Sequence, residues 1–353
     1  MDFGTAPFIV DAIRKRCECE VLGYTGKPDS YYRAIINWVK QRYDLDVTKE
    51  MINFVPGIVP GIGMAMNSFT RPGDKVMIQP PVYHPFAWVT TRNERTLVTN
   101  PLKWENGMYR MDLDAFREQV KGCKLFILCN PHNPGGVVWT EDELRTVAEI
   151  CYEEKVLVFS DEIHADLTLP PYKHRPFATI SEKAKMNSVT FMSPSKAFNM
   201  PGLAASHAII FNEDLRARFR KFMDAGELDM GHVFAFLSVE AAYTHGTEWL
   251  DQCLAYIQGN IDYVDNFLKT HAPRIKAIRP QASYLVWLDC RELGLNQEAL
   301  NDFFADKAHL ALNDGAMFGK EGTGYMRLNV ASPRSVIEQA MKQLAEAYQA
   351  MSF

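Results

Sequence analysis

The sequence predicts an α/β protein with a doubly wound, mostly parallel sheet and a smaller α+β domain. Between about residues 56 and 211, short apolar runs of β type alternate with helix-type segments, as expected for parallel strands joined by helices. The C-terminal third turns helical and then mixes strands with helices. A length of 353 residues fits about two domains at roughly 150 residues per domain.

The elements follow in chain order. Pro28-Asp29-Ser30 precedes a helix that ends near Tyr43, and Thr140-Glu141-Asp142-Glu143 is a capping box that opens a helix to about residue 154. Apolar runs predict strands at 75–79, 124–129, 155–160, 188–192 and 206–211. The remaining patterns predict helices from about 211 to 268, near 297–305 and after Ser332-Pro333, with strands at 284–289 and 326–330.

Composition excludes several classes of function. The 38 Lys and Arg against 43 Asp and Glu give a net charge of −5, a poor match for nucleic acid or an anionic membrane. No run approaches 18 apolar residues, and the first residues do not resemble a secretory signal. Seven scattered cysteines suit reduced thiols, so we expect a cytoplasmic protein with neither nucleic-acid nor membrane partners.

Three predicted strands end in polar, turn-rich loops. These loops are Asn130-Pro131-His132-Asn133-Pro134-Gly135-Gly136, Ser160-Asp161-Glu162-Ile163-His164 and Ser193-Pro194-Ser195-Lys196. Each alone reads as a turn or a helix cap. Because ligands bind beyond the carboxyl ends of parallel strands, the three together indicate a ligand site.

This constellation resembles the fold-type-I pyridoxal-phosphate (PLP) enzymes of the aspartate aminotransferase superfamily, class I/II, and within them the cystathionine β-lyase/cysteine C–S lyase branch. The runs Asp161-Glu162-Ile163-His164-Ala165-Asp166 and Ser193-Pro194-Ser195-Lys196-Ala197-Phe198-Asn199-Met200-Pro201-Gly202-Leu203 are its most specific parts. The resemblance covers essentially the whole chain and implies a three-layer PLP-transferase fold. It implies a large PLP-binding domain over 25–258 and a small domain from 1–24 plus 259–353.

The resemblance implies four residues around the cofactor ring. Lys196 would form the Schiff base with the cofactor and later move the α-proton, since a desolvated lysine can act as nucleophile and base. Asp161 would pair with the protonated ring nitrogen, and Asn133 would bond the phenolic oxygen. His164 stands where many members carry a Tyr aimed at the same oxygen, and a histidine merely packed under the cofactor stays open.

The cofactor phosphate would bind where a helix begins. The resemblance implies that Gly57, Ile58 and Val59 supply backbone N–H groups at this helix start, with hydroxyls from Ser193 and Ser195.

Three further residues complete the implied site. Tyr83 would stack on the ring, and Arg327 would bind the substrate α-carboxylate as a fork. Tyr24 resembles the tyrosine that a neighbouring subunit lends to the phosphate, which implies a homodimer and places Tyr24 among the catalytic residues.

The implied function is a C–S β-lyase that cleaves cystathionine- or cysteine-type amino acids to a thiol, pyruvate and ammonia. Ala204 stands where aminotransferases often place a phosphate-binding Arg, as in the lyase branch. A class I/II aminotransferase stays open, as does a catalytically idle PLP-binding regulator, because the chain begins later than these enzymes usually do. A metal hydrolase on His132, Asp161 and His164 ranks far below, and we expect no metal.

Overall fold

The computed structural model describes residues 1–351. The helices are α1 (Pro7–Cys17), α2 (Asp29–Tyr43), α3 (Ile58–Phe69), α4 (Pro85–Arg92), α5 (Leu113–Gln119), α6 (Glu141–Glu153), α7 (Glu182–Met186), α8 (Glu213–Ala225), α9 (Val233–His245), α10 (Thr247–His271), α11 (Gln297–Asp302) and α12 (Arg334–Gln349). The strands are β1 (Ile52–Val55), β2 (Lys75–Ile78), β3 (Thr96–Thr99), β4 (Lys103–Glu105), β5 (Met108–Arg110), β6 (Cys123–Cys129), β7 (Leu157–Asp161), β8 (Ser188–Met192), β9 (Ser206–Ile209), β10 (Lys276–Ile278), β11 (Leu285–Asp289), β12 (Asn313–Asp314) and β13 (Tyr325–Asn329).

The central sheet has seven strands in the order β1-β9-β8-β7-β6-β2-β3. The pairs among β8, β7, β6, β2 and β3 are parallel, and β9 is antiparallel to both of its neighbours. The direction of β9 corrects a sequence interpretation that placed 206–211 in the parallel layer. Parallel neighbours need a crossover, usually a helix, whereas the chain between β8 and β9 contains only loops and a short 3₁₀ turn at Pro201–Leu203.

Helices cover both faces of this sheet. Along β6, Leu125 and Ile127 belong to one hydrophobic cluster that includes residues of α3, α4 and α8. Phe126 and Leu128, which point the other way, belong to a cluster with residues of α5 and α6. The fold is therefore the expected three-layer α/β arrangement, and the run 124–129 is buried on both faces except at Lys124.

The C-terminal part builds a second, four-stranded sheet in the order β10-β11-β13-β12, with every pair antiparallel. The helices α10 and α12 pack against one another beside it. The predicted domain boundary at 258/259 falls inside α10, which is one unbroken helix from Thr247 to His271. We keep the division into 25–258 and 1–24 plus 259–353 as a proposal, with α10 belonging to both parts.

Local sequence patterns predicted most helices and strands, whereas several short or exposed elements were not predicted. The capping box at Thr140 is present, with Thr140 and Glu143 bonding one another's backbone N–H groups. Helix α1, the strands β1 and β3 and the hairpin β4–β5 carried no pattern strong enough to predict them. Within residues 1–351, none of the helices has the length and apolar character needed to span a membrane. All seven cysteines are free thiols.

Candidate active site

A cavity of about 480 Å³ opens where the carboxyl ends of β6, β7 and β8 meet the start of α3 and one face of the small sheet. This is the position at which open parallel sheets bind ligands. The predicted residues that line it are Gly57, Ile58, Val59, Tyr83, Asn133, Asp161, His164, Ser195, Lys196 and Arg327. Two predicted residues, Ser193 and Tyr24, lie outside the lining.

Lys196 lies four residues beyond β8 and faces this cavity. Burial lowers the pKa of its ammonium, and the positive charge of Arg327 lowers it further, while Asp161 acts in the opposite direction. Among the described residues no carboxylate lies within ion-pair distance of its Nζ. A lysine in such surroundings gives up its proton more easily than a surface lysine, as an amine nucleophile or base must.

Asp161 is the last residue of β7 and is 3% exposed. Burial, with a smaller contribution from the adjacent Glu162 carboxylate, raises the pKa of its carboxyl to about 7, although the Ile163 N–H at 3.1 Å and the Lys196 ammonium act in the opposite direction. The Asp161 carboxyl therefore loses its proton most readily when a positively charged group lies against it. A protonated aromatic ring nitrogen is a cation that fits this requirement.

The N-terminus of α3 forms another wall. Gly57, the residue before the helix, has a φ of 122°, a backbone conformation that residues other than glycine rarely adopt. No side chain caps this helix, and its first residues line the cavity, so the N–H groups of Ile58 and Val59 are available to an anion. The twelve-residue helix can thus bind a phosphate group at this end.

Ser193 and Ser195, both predicted as phosphate ligands, differ in what their side chains contact. The Ser193 hydroxyl donates to the Ala205 carbonyl at 2.7 Å and accepts the Ser195 N–H at 3.1 Å. Its single proton is therefore used inside the loop, while Ser195 lines the cavity beside Ser206. Ser193 shapes this loop, and Ser195 is the one of the two hydroxyl residues that lines the cavity.

Arg327, on β13, faces Asn133 across the cavity. Its Nη1 donates to Asn133 Oδ1 and its Nη2 to Asn313 Oδ1, both at 2.8 Å, and its guanidinium lies 4.6 Å from the centre of the Phe318 ring. Burial lowers the pKa of Arg327 to about 10. Because both acceptors are neutral amides, the half-buried positive charge is available for a carboxylate. Since Asn133 Oδ1 accepts the bond from Arg327, the Nδ2 group of Asn133 remains as a donor for a ligand.

Aromatic and imidazole groups complete the lining. Burial lowers the pKa of His164 to about 3, helped by the charges of Lys196 and Arg327, so this imidazole is neutral. Its Nδ1 has no hydrogen-bond partner among the described residues, and its ring lies 6.3 Å from that of Tyr284. Tyr83 is half-buried, and burial raises the pKa of its hydroxyl. These rings offer apolar faces and a neutral donor or acceptor to a flat ligand.

Tyr24 is 99% exposed and lies on an extended segment between α1 and α2. Val21 and Leu22 of the same segment are 71% and 68% exposed. Within one chain, Tyr24 therefore does not reach the cavity.

Sequence reasoning missed several lining residues, among them His84, Tyr284, Asn313 and Asn329. Asn313 lies directly opposite Arg327 in the antiparallel β12–β13 pair, a register that no local pattern reveals. Tyr284 is the first residue of a predicted strand, which was the one available signal, and the observed strand β11 begins at the next residue. His132, assigned to the metal alternative, packs against Tyr109 and Trp139 and does not line the cavity.

The charged groups of a second groove are already paired. This groove, of about 560 Å³ beside Trp104, is lined by Lys276, Asp289, Arg291 and Glu292. Lys276 pairs with Glu292, and Arg291 pairs with Asp289 at 2.7 Å. The shifted ionisable groups described above belong to the first cavity, which is the stronger candidate for chemistry.

Comparison with known proteins agrees with this geometry. The profile of the family described as Aminotransferase class I and II matches residues 2–344. Cystathionine beta-lyase PatB of Bacillus subtilis is 38% identical over 349 residues, covering 98% of this chain and 90% of the relative. Cystalysin from Treponema denticola, whose crystal structure contains pyridoxal 5'-phosphate, superposes with a TM-score of 0.97 at 34% identity, covering 100% of this chain and 90% of that one. A PLP-bound C–S lyase from Staphylococcus hominis gives 0.92 at 34% identity, covering 99% and 89%.

Proposed function

The chain belongs to the class I and II aminotransferase family, and we propose that it is a pyridoxal-phosphate-dependent C–S lyase that cleaves cystathionine- or cysteine-type amino acids. The products are a thiol, pyruvate and ammonia. The observation that carries this conclusion is the cavity itself, which brings Lys196, Asp161 and Arg327 together in a chain 38% identical to a cystathionine β-lyase.

The residues fit the cofactor. An uncapped helix start with Ser195 beside it suits the phosphate, Asp161 suits the ring nitrogen, the Asn133 Nδ2 suits the phenolic oxygen, and Tyr83 and His164 suit the ring faces. Lys196 is the amine within the same cavity that would attach covalently to the cofactor. Pyridoxal phosphate, when bound, supplies an electron sink for the charge left at the substrate Cα.

The chain's own residues orient the substrate and move its protons. Arg327 binds the α-carboxylate through its two Nη groups and so fixes the Cα beside Lys196. The Lys196 Nζ takes the α-proton, and burial favours the neutral amine that this step needs. The bond between Cβ and sulfur breaks with its electron pair on sulfur, and the three-carbon remainder takes up water to give pyruvate and ammonia.

The lining favours a sulfur substrate over an acidic one. Lys196 and Arg327 are the only Lys or Arg side chains among the described lining residues, and both have roles at the reacting end of the substrate. No further Arg or Lys is present there for the side-chain carboxylate of aspartate or glutamate. Ala204 lines the cavity where many aminotransferases carry an arginine, which also supports the lyase branch.

A homodimer is part of this proposal. The segment with Tyr24 exposes Val21 and Leu22 as well, so a second copy of the chain would cover apolar surface and could receive Tyr24 at its phosphate site. A cytoplasmic location is likewise proposed, supported by the seven free thiols.

The test is to supply L-cystathionine without any keto acid and to follow pyruvate and free thiol. The proposal predicts that both rise together with time, and a parallel reaction with alanine and 2-oxoglutarate should form glutamate far more slowly. If pyruvate stays flat while 2-oxoglutarate becomes glutamate, the chain is an aminotransferase.

A further inference from the structure

The residue after Asp161 carries a second carboxylate, which the cavity does not use. Glu162 is 1% exposed and is absent from the lining. We propose that Glu162, held by His174, is a positioning residue that fixes the Asp161 side chain toward the cavity. The inference rests on the proposed function, because it concerns how Asp161 meets the cofactor ring nitrogen.

Three donors hold the Glu162 carboxylate. Oε1 accepts the Ser160 hydroxyl and the Phe177 N–H, both at 2.8 Å, and Oε2 lies 2.7 Å from His174 Nε2. The side chains of Glu162 and His174 are 0% and 1% exposed. Because three donors bond the two oxygens of this buried carboxylate, its position is fixed relative to β7, which ends at the preceding residue.

Main-chain bonds tie the same residue to the site. The Glu162 N–H donates to the Phe191 carbonyl of β8 at 2.9 Å, and its own carbonyl accepts the Ala165 N–H at 2.9 Å. Asp161 and Glu162 are consecutive, and only Asp161 lines the cavity. Because Glu162 is held on the side of the chain that faces away from the cavity, its bonds fix the direction of the Asp161 side chain and the turn that leads to His164.

Glu162 also acts on Asp161 through its charge. The ionisable groups that face Asp161 or the Glu162–His174 pair are Tyr43, Tyr83, Cys129, Glu162, Asp166, His174 and Lys196. Of these, Glu162 raises the pKa of Asp161 and Lys196 lowers it, in addition to the larger effect of burial. Removing the Glu162 charge therefore lowers the pKa of Asp161, and Asp161 stays ionised to a lower pH.

Asp166 provides a matched control in the same loop. Its carboxylate is also buried, accepting the Trp38 Nε1–H at 3.0 Å and the Tyr43 hydroxyl, but it is not among the charges that act on Asp161. Asp166→Asn keeps an acceptor oxygen and removes a charge, as Glu162→Gln does.

The experiment titrates pyridoxamine 5'-phosphate into the full-length protein freed of cofactor, by calorimetry, from mildly acidic to mildly alkaline pH. This probe has the ring nitrogen and the phosphate but no aldehyde, so it does not attach to Lys196. Its own ionisation is the same for every variant, and only differences between variants are interpreted. Circular dichroism establishes that each variant is folded.

We expect affinity to fall on the acidic side as Asp161 is protonated. In Glu162→Gln the midpoint of this fall should lie about one pH unit lower than in the wild type, the scale of one nearby buried charge. Its affinity on the alkaline side should stay within about threefold, since Gln keeps an acceptor oxygen. Asp166→Asn should keep the wild-type midpoint.

An unchanged midpoint in Glu162→Gln, or an equal shift in Asp166→Asn, would overturn the inference. Should Glu162→Gln fail to fold, Glu162→Met removes the same charge at a similar side-chain volume and should move the midpoint in the same direction; no movement would count against the inference. Absence of binding by the wild type at every pH would instead contradict the cofactor assignment in the proposed function.

Discussion

The two walls of the cavity are built in different ways. The wall from the large sheet places Asn133, Asp161 and Lys196 at or just beyond the carboxyl ends of three adjacent parallel strands, and burial shifts the pKa values of Asp161 and Lys196. The wall from the small sheet places Arg327 on an antiparallel strand, where neutral amides from both walls hold its charge. In the proposed function, the first wall would hold and activate the cofactor, and the second would recognise the substrate carboxylate.

The largest effect should come from the first wall. In the proposed function, Asp161→Ala removes the carboxylate that would face the ring nitrogen in a site where water screens it little, so we expect turnover to fall by roughly 10² or more. Steady-state pyruvate release from L-cystathionine measures this. Asp142→Ala, which removes an exposed carboxylate on α6, is the control and should keep full activity. Near-normal turnover in Asp161→Ala would mean that another group holds the ring nitrogen.

A smaller loss should come from the second wall. Arg327→Lys keeps the charge but loses the two-pronged geometry, so we expect kcat/KM to fall by about 10- to 100-fold while cofactor binding persists. Asn313→Ala, which releases only one Nη group, should cost about threefold. Arg145→Lys on the exposed face of α6 serves as the control. Loss of cofactor, rather than of substrate affinity, in Arg327→Lys would remove the distinction between the two walls.

The same difference decides what the sequence could predict. The first wall follows from local patterns, because an apolar strand and its polar end are contiguous in the chain, as at Asp161 and Lys196. The partner of Arg327 could not be predicted, since Asn313 lies 14 residues away and meets it only through strand register. The prediction that β9 is parallel to its neighbours was wrong for a related reason. Whether two strands pair in parallel depends on the chain that connects them, and an apolar run has the same appearance in either direction.

Individual side chains within a predicted loop were also hard to separate. Ser193 and Ser195 are equivalent by sequence, yet the Ser193 proton bonds the Ala205 carbonyl while Ser195 faces the cavity. Hydrogen-bond direction within a loop depends on its folded path, which composition does not contain. The family, the fold class and the cofactor were all expected from the sequence, and the comparisons confirm them.

A separate effect, on cofactor affinity, concerns a residue on neither wall. If a second chain lends Tyr24, Tyr24→Phe should weaken cofactor affinity by about tenfold through loss of one hydrogen bond to a charged group. Equilibrium binding of pyridoxal phosphate measures the change, and Tyr172→Phe, another exposed tyrosine, should leave the affinity unaltered. Sedimentation as a monomer with full cofactor occupancy would contradict the dimer proposal.

The central claim is that Lys196 is the residue that bonds the cofactor. Reduction of the purified protein with borohydride, followed by proteolysis and mass spectrometry, tests it directly, because reduction makes the bond between lysine and cofactor permanent. We predict that the yellow absorbance disappears on reduction and that the cofactor mass is found on the peptide that contains Lys196. Cofactor on a different lysine, or a protein with no reducible absorbance after incubation with pyridoxal phosphate, would contradict the account.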